Sequence, residues 1–319
     1  MKTMSRIFPG ILICFFVIFA GSLFVTPKAE AQAKQPIVYF TGDISPKGLM
    51  AVYEALGLEA KGKVAVKLHS GEPGNTHFLS PALIKDFVQK IKGTIIEGNT
   101  AGGRRATTEN HYKVLKDHGF SAIAPVVILD EKSDISLPVA GGKHLKENFV
   151  GARFRDFDFH VVLSHFKGHP MGGFGGAIKN MSIGYASAAG KSWIHSAGTN
   201  KNTAWRSPDQ NAFLESMAEA AKTIADANKG RILYINVMNN LSVDCDCLSR
   251  PAEPTMADIG ILSSLDPVAL DQACVDLVYA AKDSKDLIER IKSRNGLLTL
   301  EHAEKIGLGS RTYKLVKLQ

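Results

Sequence analysis

"FHVVLSHFKGHPMGGFGGAIKN" runs from Phe159 to Asn180. Its first eight residues, Phe159–Phe166, make an apolar run of the length expected for a buried strand. His165 within that run and His169 after it lie four residues apart, a lysine and two Gly pairs follow, and a helix leads out. Strand, glycine-rich connection and helix make one βα unit. The same grammar recurs along the chain. "PIVYF" (36–40), "KVAVKLH" (63–69), "GTIIEG" (93–98), "APVVILD" (124–130) and "RILYINVM" (231–238) also read as buried strands. Ser45-Pro46, Ser80-Pro81, Ser207-Pro208 and Asp266-Pro267 each set a good cap before a proline at the first helical position. Ser207 with Gln210 fits a capping box, and the helix that follows stops at Gly230. The expected fold class is α/β, with a mostly parallel or mixed sheet flanked by helices, as one body or two lobes. The polar, turn-rich stretch 191–208 is the expected long loop. Residues 283–319 read as two helices and a short terminal strand, "YKLVKL".

The N-terminus sets the compartment. Lys2 and Arg6 precede an uncharged run, Ile7–Val25, and then Ala29 and Ala31 form an Ala-x-Ala site. This is the pattern of a secretory signal peptide over residues 1–31, cleaved after Ala31 or, as second choice, Ala33. The competing reading is an uncleaved anchor, since nineteen apolar residues just span a bilayer. After cleavage residues 32–319 remain as one domain, exported to the periplasm or medium, with no stable membrane insertion. Loss of three cations and one anion takes the formal net charge from +7 to +5. That mild excess suits a small anionic partner. The charges are not blocked into a tail and aromatics do not alternate with them, so nucleic acid is not an expected partner. Oligomeric state is not written in the sequence.

Four strands end in polar loops, and in open α/β sheets ligands collect at such strand ends. "LHSGEPGNTHF" offers His69, with Glu72, Asn75 and His77 beyond it, as a general base or metal ligand. "EGNTAGGRR" offers Arg104 or Arg105 after a Gly pair, suited to a carboxylate or phosphate. In the opening stretch, Gly175, Gly176, Lys179 and Asn180 face a helix start and suit an anion. The spacing matches neither established nucleotide-binding glycine loop. His165 and His169 are candidate acid–base groups or metal ligands on a turn. "VDCDCLSRP" alternates carboxylates and thiols. If this segment is a strand, Cys245 and Cys247 share a face opposite Asp244 and Asp246. The two sulfurs then chelate a divalent metal, form a local disulfide, or remain free thiols. Asp246 is a further catalytic candidate, and Cys274 lies in an apolar helix as core.

Taken in order, "VKLHSGEPGN", "EGNTAGGRR", "SHFKGHPMGGFGGAIKNMSIG", "DCDC" and "ADIGILSSLDPVALDQACVDLV" resemble the family called domain of unknown function 362, whose members are often labelled iron-sulfur-centre proteins. The resemblance covers about Ile37 to Leu318. It implies no settled activity. Many members carry a ferredoxin-like insert with two four-Cys clusters after the segment matching "SIGYASAAGK". Here "SWIHSAGTNKNTAWR" holds no cysteine, so no iron-sulfur cluster is expected. Three functions follow: a metal-assisted enzyme or enzyme-like site, a non-catalytic binding protein for a small ligand or metal, and a thiol-redox protein using Cys245 and Cys247.

Overall fold

The computed structural model describes residues 35–202 and 209–319, together with Met1 and Gly10. The signal-peptide reading of residues 1–31 and the Ser207-Pro208 cap fall on residues outside that set. Residues 35–319 form one compact unit.

Twelve strands and nine α-helices follow one another among the described residues. In chain order they are β1 (Ile37–Thr41), α1 (Pro46–Ala55), β2 (Val64–Lys67), α2 (Pro81–Lys90), β3 (Thr94–Glu97), α3 (Thr108–Asp117), β4 (Val126–Ile128), β5 (Asp134–Pro138), β6 (Glu147–Gly151), β7 (Phe159–His165), β8 (Lys167–His169) and β9 (Gly173–Gly175). Then come α4 (Ala177–Tyr185), α5 (Ala188–His195), α6 (Gln210–Ala227), β10 (Ile232–Met238), β11 (Gly260–Ser264), α7 (Pro267–Ala280), α8 (Lys285–Ser293), α9 (Leu298–Lys305) and β12 (Lys314–Lys317).

Eight strands form one sheet in the order β12-β1-β11-β10-β7-β2-β3-β4. From β10 across β7, β2 and β3 to β4 the pairing is parallel, whereas β11 runs antiparallel to both β1 and β10. The sheet is therefore mixed, and a single sheet replaces the two-lobe alternative. Alternation along β7 explains the apolar run. Val161 and Leu163 enter a core with Leu49, Ile84 and Phe87 of α1 and α2, while Val162 enters a second core with Met181, Ala218 and Ala273 of α4, α6 and α7. Strands buried on both faces read as continuous apolar sequence.

Three local expectations need correction. The N-cap of α6 is Asp209, whose carboxylate accepts from the amides of Asn211 and Ala212. The stretch from Lys191 is not loop throughout, because α5 continues to His195, capped by Ser187 accepting from Gly190 N–H. The turn after β7 is a small antiparallel hairpin, β8–β9, with His169 opposite Gly173. Strand β11 and the β5–β6 hairpin escaped the sequence reading. "GILSS" ends in two serines and "DISLP" alternates with exposed residues, so neither presents an apolar run.

Candidate functional site

The C-terminal ends of β2, β3 and β7 converge with the β8–β9 hairpin, α4, α5 and the Cys245–Cys247 loop on one cavity of about 100 Å³. His69, His165, His169, Gly175, Gly176, Lys179, Asn180, Cys245, Asp246 and Cys247 all border it. Of the other sequence-derived candidates, Glu72, Asn75 and His77 do not border it, and Arg104 is on the surface; the neighbouring Arg105 is the buried arginine of the site.

Arg105 organises one wall. Its Nε donates to Glu72 Oε1 at 2.9 Å and its Nη1 to Glu97 Oε2 at 3.0 Å. Its Nη2 donates to His69 Nε2 at 2.9 Å, and Gly71 N–H lies 3.1 Å from Nδ1 of the same ring. Both neighbours of the imidazole are donors. Burial and then the Arg105 charge hold His69 well below its usual pKa, so the ring is neutral. For Glu97, burial alone would raise the carboxyl. The charge and hydrogen bond of His111, then Arg105, outweigh it and hold Glu97 well below the usual carboxylate range.

Asp246 organises the opposite wall. His165 Nδ1 lies 2.9 Å from Asp246 Oδ2, and His165 Nε2 lies 2.6 Å from the Asn239 carbonyl. Lys167 Nζ sits 2.6 Å from Asp246 Oδ1, in ion-pair contact but off the hydrogen-bond direction. Burial pushes Asp246 up, but the His165 charge and hydrogen bond, then Lys167, pull it far below its ordinary value. His165 thus spends one ring nitrogen on Asp246 and the other on the Asn239 carbonyl, so it positions Asp246 and has no nitrogen left to offer a metal. The Cys245–Cys247 segment is a turn. Strand alternation therefore does not apply. Asp246 lines the cavity with the cysteines, while Asp244 faces away to Arg290 at 3.1 Å.

The helix start that suggested an anion site is already filled. Asp271 of α7 accepts from Ala177 N–H at 2.7 Å and from Ile178 N–H at 2.9 Å. A Cβ on Gly176 would sit 2.3 Å from Asp271 Oδ1, so that glycine admits the carboxylate. Burial raises Asp271 to about 6 against the pull of those hydrogen bonds, leaving it charged at neutral pH. Asn180 is also committed. Its Nδ2 donates to the Lys67 and Leu163 carbonyls and to Ser164 Oγ, each at 3.1 Å, which straps α4 across β2 and β7. These contacts reassign Gly176 and Asn180 from anion holders to scaffold.

The lysines carry the anomaly. Five cationic side chains (Lys67, Arg105, Lys167, Lys179 and Lys191) border the cavity beside two carboxylates, Glu97 and Asp246. Arg105 and Lys167 are ion-paired. Among the described residues, no carboxylate is within ion-pair reach of Lys67, Lys179 or Lys191. Lys67 Nζ donates to Asn180 Oδ1 at 3.1 Å and to the Leu68 carbonyl. Gly184 makes room for it, since a Cβ there would come within 2.5 Å of Lys67 Cε. Lys191 Nζ donates to the Gly98 and Ala186 carbonyls. Burial pushes Lys67 down to about 7, with Glu97 working the other way, and pushes Lys179 and Lys191 down to about 8.

His169, Cys245 and Cys247 place potential ligand atoms within 4.8 Å of one another, which makes them a possible metal-binding group. The two sulfurs are joined as a disulfide, and a bonded sulfur is not a thiolate ligand. His169 Nδ1 accepts from the amides of Gly172 at 2.8 Å and Met171 at 3.2 Å. Burial, then Lys179, keep the ring neutral. Its one hydrogen is therefore on Nε2, 3.9 Å from Cys247 Sγ. In this state the trio does not fit a metal. Reduction of the disulfide and loss of that proton would both be required.

The sequence pattern described as domain of unknown function (DUF362) matches residues 64–276. The chain belongs to that family. No curated protein matches it in sequence. Two solved structures are similar, each with a TM-score of 0.40: the lactate racemase apoprotein from Thermoanaerobacterium thermosaccharolyticum, 16% identical, and a protein from Thermotoga maritima, 15% identical. The matches cover 62% and 82% of this chain, and 50% and 58% of those two proteins.

The matched region of this DUF362 protein contains every residue bordering the cavity. Several of them, Lys167, Lys191 and His195 included, were not singled out from sequence. Lys167 is the middle of "HFKGH", and its position between two histidine candidates was the available signal. Lys191 and His195 are one helical turn apart on α5, and Ser187 at its start is the signal that marks a helix there. His195 Nδ1 lies 2.7 Å from the Lys191 carbonyl and its ring stacks on Phe213, with burial pushing it down to about 4.

Proposed function

We propose that this DUF362 protein is an exported protein whose cavity binds a small anionic molecule and is equipped for acid–base chemistry on it. One observation carries the reading: Lys67, Lys179 and Lys191 border one cavity, and among the described residues no carboxylate is paired to them. Unpaired buried charge is costly. A carboxylate, phosphate or sulfate group entering among the three ammoniums would relieve that cost. Lys67, brought down to about 7 by burial, is the kind of group proton transfer needs near pH 7. A non-catalytic binding protein would show the same affinity without turnover.

Thermal unfolding in a series of anions tests the reading. Phosphate, sulfate, acetate or malonate should raise Tm saturably, by the equivalent of about 2.7 kcal/mol at a hundredfold excess over Kd. A response no larger than that to chloride at equal ionic strength would contradict it.

A second reading has its own support in the 4.8 Å grouping of His169, Cys245 and Cys247. After reduction and loss of the His169 Nε2 proton these residues would hold a divalent, thiol-preferring metal such as zinc. Zinc uptake by reduced protein, absent from oxidised protein and from Cys247→Ser, is the expected result. Equal uptake by all three would remove the reading.

A further inference from the structure

We infer that the cavity admits an anionic thiol, a small molecule bearing both –SH and an acidic group, and exchanges its sulfur with the Cys245–Cys247 disulfide. The inference rests on the anion-binding reading and names the substrate class of that site.

Both sulfurs border the same cavity as Lys67, Lys179 and Lys191. Cys245 is buried and Cys247 is half-buried, so Cys247 Sγ is the sulfur an incoming molecule reaches. The residue between them is fixed from three sides: Asp246 meets His165 and Lys167 through its carboxylate, and its carbonyl accepts from Glu72 N–H at 2.9 Å. The disulfide is thus presented on a rigid turn. His169 is fixed as well, with its Nε2–H aimed at Cys247 Sγ. Nearby cations and a hydrogen-bond donor stabilise thiolates, the attacking and leaving species of thiol–disulfide exchange. Among the described residues no further thiol borders the cavity. Among the described residues Cys274 is the one free cysteine, buried in α7, and burial holds its thiol well above its usual pKa. A thiol of another molecule fills that role, and the lysines favour one with negative charge.

In the first step the incoming thiolate attacks Cys247 Sγ. The Cys245–Cys247 bond breaks, and its electron pair leaves on Cys245 Sγ, which takes a proton from water. Cys247 now carries a mixed disulfide. A second anionic thiolate attacks the outer sulfur, and Cys247 leaves as a thiolate facing His169 Nε2–H. Two external thiols are oxidised to one disulfide, and the cysteine pair is reduced by the same two electrons.

The test compares 2-mercaptoethanesulfonate, which is anionic, with 2-aminoethanethiol, which is cationic, as reductants of the oxidised protein. Alkylation and mass spectrometry follow the freed cysteines, and each rate is divided by that of the same thiol with the neutral bis(2-hydroxyethyl) disulfide. The normalised preference should favour the sulfonate by at least about tenfold, in line with electrostatic enhancement in charged clefts. It should fall toward one in Lys179→Gln or in excess phosphate, and the trapped mixed disulfide should map to Cys247. A normalised preference at or below one overturns the inference. So do free Cys245 and Cys247 thiols that fail to pair under mild oxidant. Phosphate binding measured on the same sample separates the two failures. If phosphate binds and exchange shows no preference, only this inference falls. If phosphate does not bind, the anion-binding reading falls first.

Discussion

Two regions of the molecule bury histidines with carboxylates, and they are built to opposite ends. In the seam between α6, α9 and the 139–146 segment, charges are matched. Glu219 accepts from the amides of Lys143, His144 and Leu145 and lies 3.1 Å from His302 Nε2. Glu215 accepts from Lys143 Nζ at 2.7 Å and pairs with His144 at 2.5 Å. Burial would raise both glutamates, yet these contacts hold both below their ordinary pKa. In the cavity, Arg105 and Lys167 are matched in the same way, but three lysines are not. Matched burial holds a fold together, whereas unmatched burial of one sign stores a preference for a ligand of the other sign.

The largest effects should come where matching is complete. Glu219→Gln should cost about 3 kcal/mol by taking the charge from a buried acceptor shared by three amides and His302, read from the urea midpoint, while phosphate affinity stays unchanged. Arg105→Gln should cost a similar amount, because Glu72 and Glu97 lose their shared partner. It should also abolish phosphate binding. If Glu219→Gln impaired binding as much as Arg105→Gln, the two regions would not be functionally distinct.

Lys179→Gln should separate stability from binding. With no ion pair to lose and a costly buried charge removed, stability at neutral pH should rise rather than fall. Phosphate affinity should fall about tenfold or more, about 1.4 kcal/mol.

The pH dependence follows from the same lysines and has two signs. Phosphate affinity should fall as pH rises through 7 and 8, where Lys67, then Lys179 and Lys191, lose charge. The unliganded protein should behave oppositely. These lysines titrate at about 8 or below when folded and at about 10.4 when unfolded. The unfolded chain therefore binds more protons in that window, and stability rises with pH across it. Thermal unfolding from pH 7 to pH 10 in wild type and a Lys67→Met/Lys179→Gln double variant checks this. The rise should shrink in the variant. The smallest effect should belong to Arg104→Gln, on the surface beside Arg105, with both stability and binding within about 0.5 kcal/mol of wild type.

Much of this was legible in the sequence because strand ends, glycine turns and polar clusters are local signals. The parallel strands and the convergence of the loops at His69, His165–His169 and Cys245–Cys247 follow from them. Pairwise assignments were not local. Adjacent arginines do not announce which one turns inward. The amides at Ala177 and Ile178 looked available because Asp271, which fills them, lies over ninety positions later. His165 looked like a ligand until Asn239 and Asp246, both distant in sequence, were seen to take its two nitrogens. The α5 helix was hidden by its shortness, since eight residues give too little periodicity to read.

The most direct test of the central claim is calorimetric titration of inorganic phosphate into wild type and Lys179→Gln at pH 6.5 and pH 9, in buffers of differing ionisation enthalpy. Saturable binding at pH 6.5, weaker and accompanied by proton uptake at pH 9, and about tenfold weaker in the variant, is the predicted result. Absent binding at pH 6.5, or binding indifferent to both pH and Lys179, would contradict it.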